Sequence, residues 1–240
     1  MIEARMRHDN EPAFVLHTYP YLETSLRVEV LSRSHGRVSL IARGARRPRS
    51  ALRGTLLLFQ PLLVSWSGKT ELHTLHKVEW QGGATPLKGG ALLCGFYLNE
   101  LMMKLLPREA PHESLFEEYR HSLETLAAVD NHAAALRRFE KRLLKEIGYA
   151  LVLDYDATTG GPIEGGRSYS YEVERGPVRV NGGDHALELS GSTLIDMQRD
   201  DYSNPATLQQ SRALMRLLIN HHLNGQTLYT RQLLSDLRQL

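Results

Sequence analysis

Residues 26–50 read LRVEVLSRSHGRVSLIARGARRPRS, and this stretch decides the fold of the N-terminal part of the chain. Arg27 and Glu29 alternate with apolar neighbours, which is the period of a β-strand with one buried face. Gly36, in the turn SHGR, tolerates positive φ and so favours a tight reversal between two such strands. The pattern therefore predicts a β-hairpin. Its inward-facing residues are Leu26, Val28, Val30, Val38, Leu40 and Ala42.

Three further runs with strand character flank this hairpin. AFVLHTY begins at Ala13, LLLFQPLLVSW contains Pro61, and ELHTLHKVEW ends at Trp80. Proline inside the second run indicates a bulge or an edge strand, because it cannot donate to a β-ladder. Five short strands within about 70 residues match a small closed barrel, for which an OB-type fold is the commonest solution. We therefore predict an OB-fold domain over residues 1–80.

The periodicity changes from two to that of a helix after the Gly-rich connector QGGATPLKGG. Residues 81–240 predict a mainly α-helical domain, interrupted by an irregular Gly-rich insertion at about 154–191. YSYEVE and VRVNG are candidate short strands in that insertion, and Ser192 is a candidate N-cap for the helix that follows it. The predicted fold class is therefore α+β.

The composition excludes several classes of protein. No apolar run approaches the ~20 residues of a membrane span, and the charged N-terminus lacks the apolar stretch of a secretory signal. These features predict a cytoplasmic protein without a membrane partner. Cys94 is the single cysteine and lies in the apolar segment ALLCGFYL, where a small buried hydrophobe is expected. One cysteine cannot supply a thiolate zinc cage, and no cofactor is predicted.

The net charge of +2 conceals a basic segment between Ser32 and Gly54 that contains no acidic residue. Such a patch suits a polyanion, because guanidinium groups that contact successive phosphates release counterions. Tyr19, Tyr21 and Trp66 are available to stack on bases or to fill the barrel. The alternative for the segment is a solvated, flexible charge run. The predicted DNA-binding residues are Arg33, Arg37, Arg43, Arg46, Arg47, Arg49 and Arg53.

Motifs for catalysis are absent from the sequence. There is no phosphate-binding loop of the P-loop type, no G-x-S-x-G nucleophile elbow and no H-E-x-x-H zinc motif. Asp residues cluster in two polar stretches and leave a metal-dependent nuclease as an alternative, although Asp is also common in turns. A scaffold that binds only proteins is a further alternative. We predict a binding protein that is not an enzyme. The clustered acids are Asp154, Asp156, Asp196, Asp200 and Asp201.

The sequence resembles the RecO family of bacterial recombination mediators along nearly its whole length. YPYLETS, a GR turn and ARGARR-RS follow in order, and LRRFE…LL…GY gives a second match in the helical part. The resemblance implies binding of single- and double-stranded DNA, strand annealing, and cooperation with RecR in loading recombinase onto DNA coated with single-stranded DNA-binding protein. Some members carry a four-cysteine zinc site in the insertion. Here that region contains no cysteine, so no metal is predicted.

The resemblance also implies docking of the acidic C-terminal tail of the single-stranded DNA-binding protein. Such a tail needs an apolar pocket edged by basic residues, and LRRFEKRLL at 136–144 offers an apolar stripe flanked by arginines. The alternative is an amphipathic core helix with an ordinary charged face. The candidate tail-binding residues are Arg137, Arg138 and Arg142, with Leu98 and Leu101 as pocket walls.

Overall fold

A computed structural model describes residues 7–180 and 187–236. The described residues form two compact units, one built from residues 7–130 together with 228–236, and the other from residues 131–180 and 187–227. The predicted strand VRVNG extends partly into 181–186, outside the described residues. The strands are β1 (Arg7–Tyr21), β2 (Ser25–Ser32), β3 (Gly36–Ala42), β4 (Pro61–Ser67), β5 (Leu72–Trp80), β6 (Ser168–Glu172), β7 (Gly176–Arg179) and β8 (Glu188–Ser190). The helices are α1 (Leu52–Thr55), α2 (Gly89–Leu105), α3 (Glu113–Ala128), α4 (Ala133–Glu146), α5 (Gly191–Gln198), α6 (Pro205–His222) and α7 (Tyr229–Asp236).

Strands β1 to β5 form a closed barrel in the order β1-β2-β3-β5-β4, and β1 also pairs with β4. All neighbouring strands are antiparallel except β3 and β5, which run parallel. The predicted β2–β3 hairpin is present, with Gly36 at a φ of 66°. This topology confirms the predicted OB-type barrel followed by a mainly helical region.

The barrel interior contains the alternating residues of the predicted strands, with Trp66 buried among them at 1% exposure. Strand β1 is longer than predicted and begins at Arg7, because the polar residues before Ala13 pair with β4 despite lacking an apolar alternation. Pro61 begins β4 instead of interrupting a strand. At the first position of a strand, the missing N–H of proline removes little from the ladder.

The outer wall of β1 packs against helices α2 and α3 within the first unit. The Asn99 side-chain amide donates to the carbonyl of Leu16 at 2.9 Å, and the Tyr119 hydroxyl donates to Asn99 at 2.6 Å. Burial raises the pKa of Tyr119, so the hydroxyl stays a donor. Cys94 on α2 is buried, as predicted.

In the second unit, β7, β6 and β8 form a three-stranded sheet beside α4, α5 and α6. Strand β8 was not expected from the sequence, since three residues are too few to show a periodicity. The N-cap of α5 is Ser190, whose hydroxyl accepts a hydrogen bond from the Thr193 amide, and not Ser192 as predicted. Among the residues described in both units, no helix is both long and apolar enough to cross a membrane.

Candidate nucleic-acid interface

The segment from Arg43 to Arg53, here called the arginine loop, joins β3 to β4 and is anchored in the barrel core. Ala45 is fully buried and Leu56, just after the loop, is 7% exposed, and both belong to the core cluster. Leu52 packs against the same cluster. Because these apolar residues are directed into the barrel, the charged residues between them are directed to solvent. The exposed arginines of the loop are Arg43, Arg46, Arg47, Arg49 and Arg53.

Hydrogen-bonded turns give the arginine loop a defined backbone. The Arg47 amide donates to the Gly44 carbonyl at 3.1 Å, and the Ser50 amide donates to the Arg47 carbonyl at 3.0 Å. The Arg53 amide continues the series by donating to the Ser50 carbonyl at 3.2 Å, and helix α1 closes the loop. A regular element, the one-turn helix α1, therefore begins at the C-terminal end of this segment.

Arg46 fastens the loop to the turn between β1 and β2. Its amide donates to the Thr24 carbonyl at 2.8 Å, and its guanidinium donates to the carbonyls of Leu22 and Glu23 at 3.2 and 3.3 Å. The other four arginines of the loop differ from Arg46, because their side chains make no hydrogen bond or ion pair with any residue in 7–180 or 187–236. Those unengaged arginines are Arg43, Arg47, Arg49 and Arg53.

A cleft extends from the arginine loop to the turn between β4 and β5. Arg43 lines it together with Lys69 and His76, so three basic or titratable side chains border one depression. His76 Nε2 lies 2.6 Å from the Ser67 hydroxyl oxygen. Sequence reasoning missed Lys69 and His76. For Lys69 the available signal was the basic turn SGK. For His76 it was the OB topology, because parallel pairing of β3 with β5 sets Ile41 beside Thr74 and so brings His76 next to Arg43.

Arg33 and Arg37 lie apart from the loop arginines and have acidic or carbonyl partners. Arg33 forms ion pairs with Glu113 at 2.7 Å and Glu117 at 3.5 Å on α3. Arg37 donates to the Leu106 carbonyl at 2.9 Å, and its side chain is only 12% exposed. Burial, reinforced by the charge of Arg108, lowers the pKa of Arg37 below its ordinary value. Their predicted contact with DNA stays a prediction.

Arg37 belongs to a group of charged residues on the outer wall of the barrel, which we call the Glu29 cluster. Its members are Glu29, Arg27, Arg37 and Arg108. The Glu29 carboxylate is fully buried. It accepts hydrogen bonds from Arg27 at 2.7 Å, Arg108 at 3.0 Å and the Ser39 hydroxyl at 3.0 Å. Burial by itself raises the pKa of the Glu29 carboxyl, but the hydrogen bonds and the neighbouring guanidinium charges outweigh it and lower the pKa below 4.5.

The three candidate stacking aromatics occupy different environments. Trp66 fills the barrel, with its ring centroid 5.0 Å from that of His8, while Tyr19 is 41% exposed. Tyr19 and Tyr21 line a pocket on the outer wall, and the Arg27 guanidinium carbon lies 5.9 Å from the Tyr19 ring centroid. The full lining consists of Tyr19, Pro20, Tyr21, Arg27, Glu29, Arg37, Met103 and Arg108.

The residues predicted to dock a peptide tail are largely enclosed. Leu98 and Leu101 are fully buried in the first unit. Arg137, in the second unit, is 8% exposed and donates to Glu140 at 2.5 Å. Phe139 and Leu143 of the apolar stripe of α4 are also buried, as in the alternative of an amphipathic core helix.

Two other basic residues of α4 are more accessible. The Arg138 guanidinium donates to the Asp200 carbonyl at 3.1 Å and lies 5.7 Å from the Tyr202 ring centroid. The Arg142 side chain is 38% exposed and pairs with Glu146 at 3.9 Å. Their role in tail binding stays a prediction.

The acidic clusters considered for a nuclease make local hydrogen bonds. Asp156 accepts from the Thr158 amide at 2.8 Å, and Asp201 accepts from the Ser203 amide at 3.0 Å. Asp196 accepts from a threonine hydroxyl at 2.6 Å. Within residues 7–180 and 187–236, no three His, Cys, Asp or Glu side chains are grouped so that they could hold a metal ion.

Known proteins similar to this chain cover nearly its whole length. Two family models match, described as the N-terminal part of recombination protein O over residues 6–83 and its C-terminal part over residues 87–231. The chain is 55% identical to the DNA repair protein RecO of Nitrosospira multiformis, with 98% of each chain covered. It is 52% and 50% identical to proteins of the same name from Aromatoleum aromaticum and Dechloromonas aromatica, covering 98% of this chain and 99% of each relative. The chain therefore belongs to the RecO family of DNA repair and recombination proteins.

Proposed function

We propose that this protein is a non-enzymatic recombination mediator whose barrel binds the backbone of single- and double-stranded DNA. The observation that carries the proposal is the arginine loop, in which buried Ala45 and the turn at Gly44 hold exposed guanidinium groups on a defined backbone. Preorganised arginines bind phosphates at a lower entropic cost than a flexible charge run does. In the cell, the substrate would be chromosomal DNA of the nucleoid in the cytoplasm.

Strand annealing follows from the charge of this surface. Complementary strands repel one another through their phosphates, and each guanidinium that contacts a phosphate reduces that repulsion. Arg43, Arg47, Arg49 and Arg53 are free of acidic partners among the described residues, so their charge is available to DNA. A protein that screens phosphates in this way promotes annealing without forming or breaking a covalent bond.

The test is fluorescence anisotropy of labelled single-stranded DNA at several salt concentrations. The triple variant R43A/R47A/R49A should bind more weakly to every sequence, and its salt slope should fall by about 2 if three phosphate contacts are lost. Arg46 is left intact because it holds the β1–β2 turn. The matched control is R120A/R167A/R175A, which removes the same charge from three exposed, ion-paired positions.

Two competing functions give different results in the same assay. A scaffold that binds only proteins would show no affinity for naked DNA even at low salt. A metal-dependent nuclease would shorten labelled DNA when magnesium or manganese is added. Equal salt slopes for the loop triple and its control would show that the arginine loop is not the phosphate-binding element.

The mediator role includes protein partners, and we propose RecR and the C-terminal tail of the single-stranded DNA-binding protein. The support is family membership together with the basic face of α4, where Arg138 and Arg142 remain partly accessible. A tail peptide should bind the wild type and bind R142A more weakly. R120A is the control, since Arg120 is likewise exposed and paired with acids on a helix. Unchanged peptide affinity in R142A would remove that residue from the docking site.

A further inference from the structure

The outer-wall pocket beside the Glu29 cluster carries a positive charge that its own acid does not neutralise. Three guanidinium groups, from Arg27, Arg37 and Arg108, surround the single carboxylate of Glu29 in the pocket lining. The side chains of Arg27 and Arg108 remain 37% and 27% exposed. The pocket therefore offers two accessible cationic side chains to an anionic ligand.

An aromatic surface lies beside these charges. Tyr19 is 41% exposed, and Arg27 lies next to its ring. The position of Tyr19 is fixed by strand pairing, because it lies opposite Arg27 in the β1–β2 ladder, and the two side chains share one face of the sheet. A planar group that stacked on Tyr19 would therefore be within reach of the guanidinium groups.

Residues that line the pocket lie near the arginine loop along the strands of the barrel. Arg27 pairs with Ile41 on β3, two residues before Arg43, so the separation along the strand is about 7 Å. On the other side, Tyr21 ends β1 and leads into the turn that Arg46 holds. A nucleic-acid backbone bound at the loop can therefore reach the pocket without leaving the barrel surface.

We infer that this pocket binds one nucleotide of a DNA strand, with its base stacked on Tyr19 and its phosphate facing Arg27 and Arg108. The inference rests on the proposed function, because the arginine loop supplies the strand. A nucleotide combines a planar aromatic group with an anion, and the pocket supplies a partner for each. Stacking on an aromatic side chain accepts any base, so this subsite favours unpaired over paired DNA without reading sequence.

The experiment compares a short single-stranded oligonucleotide with one of equal length and charge whose central nucleotides lack bases. The wild type should bind the base-containing strand about tenfold more tightly than the abasic strand, equivalent to about 1.4 kcal/mol. Y19A should bind both strands with nearly equal affinity. Y19F keeps the ring and should retain the wild-type ratio. Y155A is the matched control, because Tyr155 is 42% exposed in the other unit.

The experiment distinguishes an incorrect assignment of the nucleotide-binding pocket from an incorrect proposed function. Equal wild-type affinity for the two strands would overturn the stacking subsite while leaving phosphate binding by the loop intact. A wild-type ratio retained in Y19A would also overturn it. Absence of binding to either strand would overturn both proposals. A ratio lost in Y19A, kept in Y19F and kept in R43A/R47A/R49A despite weaker overall binding would support the subsite.

Discussion

The same barrel carries arginines in two contrasting settings. In the arginine loop, Arg43, Arg47, Arg49 and Arg53 have no acidic partner among the described residues, and backbone turns and buried Ala45 hold the segment that carries them. In the Glu29 cluster, Arg27, Arg37 and Arg108 share one fully buried carboxylate. The contrast separates arginines that are held by a shared acid from arginines that have no acid partner. In the cluster, only the partly exposed Arg27 and Arg108 can also meet a ligand.

The largest expected effect comes from removing the acid of the cluster. The substitution Glu29→Ala leaves three guanidinium groups facing one another with no counter-charge, and one of them is nearly buried. Breaking a buried ion pair from one side costs about 3–5 kcal/mol of unfolding free energy. Chemical denaturation measures the loss. Glu79→Ala is the control, because Glu79 pairs with Lys77 on the exposed surface and should cost less than about 1 kcal/mol. Equal losses in the two variants would contradict a structural role for the cluster.

The same carboxylate predicts a smaller, pH-dependent effect. The pKa of Glu29 is lower in the folded protein than its ordinary value of 4.5. Its contribution to stability is therefore complete above about pH 4.5 and is lost as the pH falls through the folded pKa. Denaturation at a series of acidic pH values should show a shallower decline in Glu29→Gln than in the wild type. Parallel declines would show that ionised Glu29 does not stabilise the fold.

The sequence was sufficient to predict the barrel but not to distinguish these two settings. Period-two alternation is a local property, so β2 and β3 could be located from residues such as Val28 and Leu40. Alternation also places Arg37 on the outer face of β3, but it cannot show that the segment between α2 and α3 covers that face through the Leu106 carbonyl. Outward orientation and solvent exposure are therefore different properties, and only the second depends on tertiary packing.

The arginine loop shows the same limit of prediction from local sequence patterns. Its composition predicted a flexible charge run as one alternative, because Gly, Pro and Arg do not form a regular element on their own. The burial of Ala45 depends on a barrel that closes only when β1 pairs with β4, far away in the sequence. Lys69 was missed for the same reason, since it lines one cleft with Arg43 only in the closed barrel, where β5 pairs with both β3 and β4.

A substitution at Gly44 tests whether the conformation of the arginine loop contributes to DNA binding independently of the charge of the loop. The Gly44 φ of 68° lies in the left-handed region, where a β-branched residue costs about 1–2 kcal/mol. Gly44→Val should lower stability by about that amount and weaken DNA binding with no change in charge. The control is Gly54→Ala in α1, where an added Cβ meets open space. DNA affinity unchanged in Gly44→Val would mean that loop conformation is unimportant for binding.

The triple substitution R43A/R47A/R49A should have the smallest effect on stability, although we expect it to have a large effect on DNA binding. Arg43, Arg47 and Arg49 are exposed and make no side-chain ion pair within the described part of the chain, so R43A/R47A/R49A should unfold within about 0.5 kcal/mol of the wild type. Removing unbalanced like charges relieves mutual repulsion, so any change should be toward greater stability and should diminish as salt is added. Chemical denaturation at low and high salt measures both points. A loss of several kcal/mol in unfolding free energy would show that these arginines stabilise the fold, as the Glu29 cluster does. Exposed side chains that serve only to bind a ligand contribute little to the stability of the free protein.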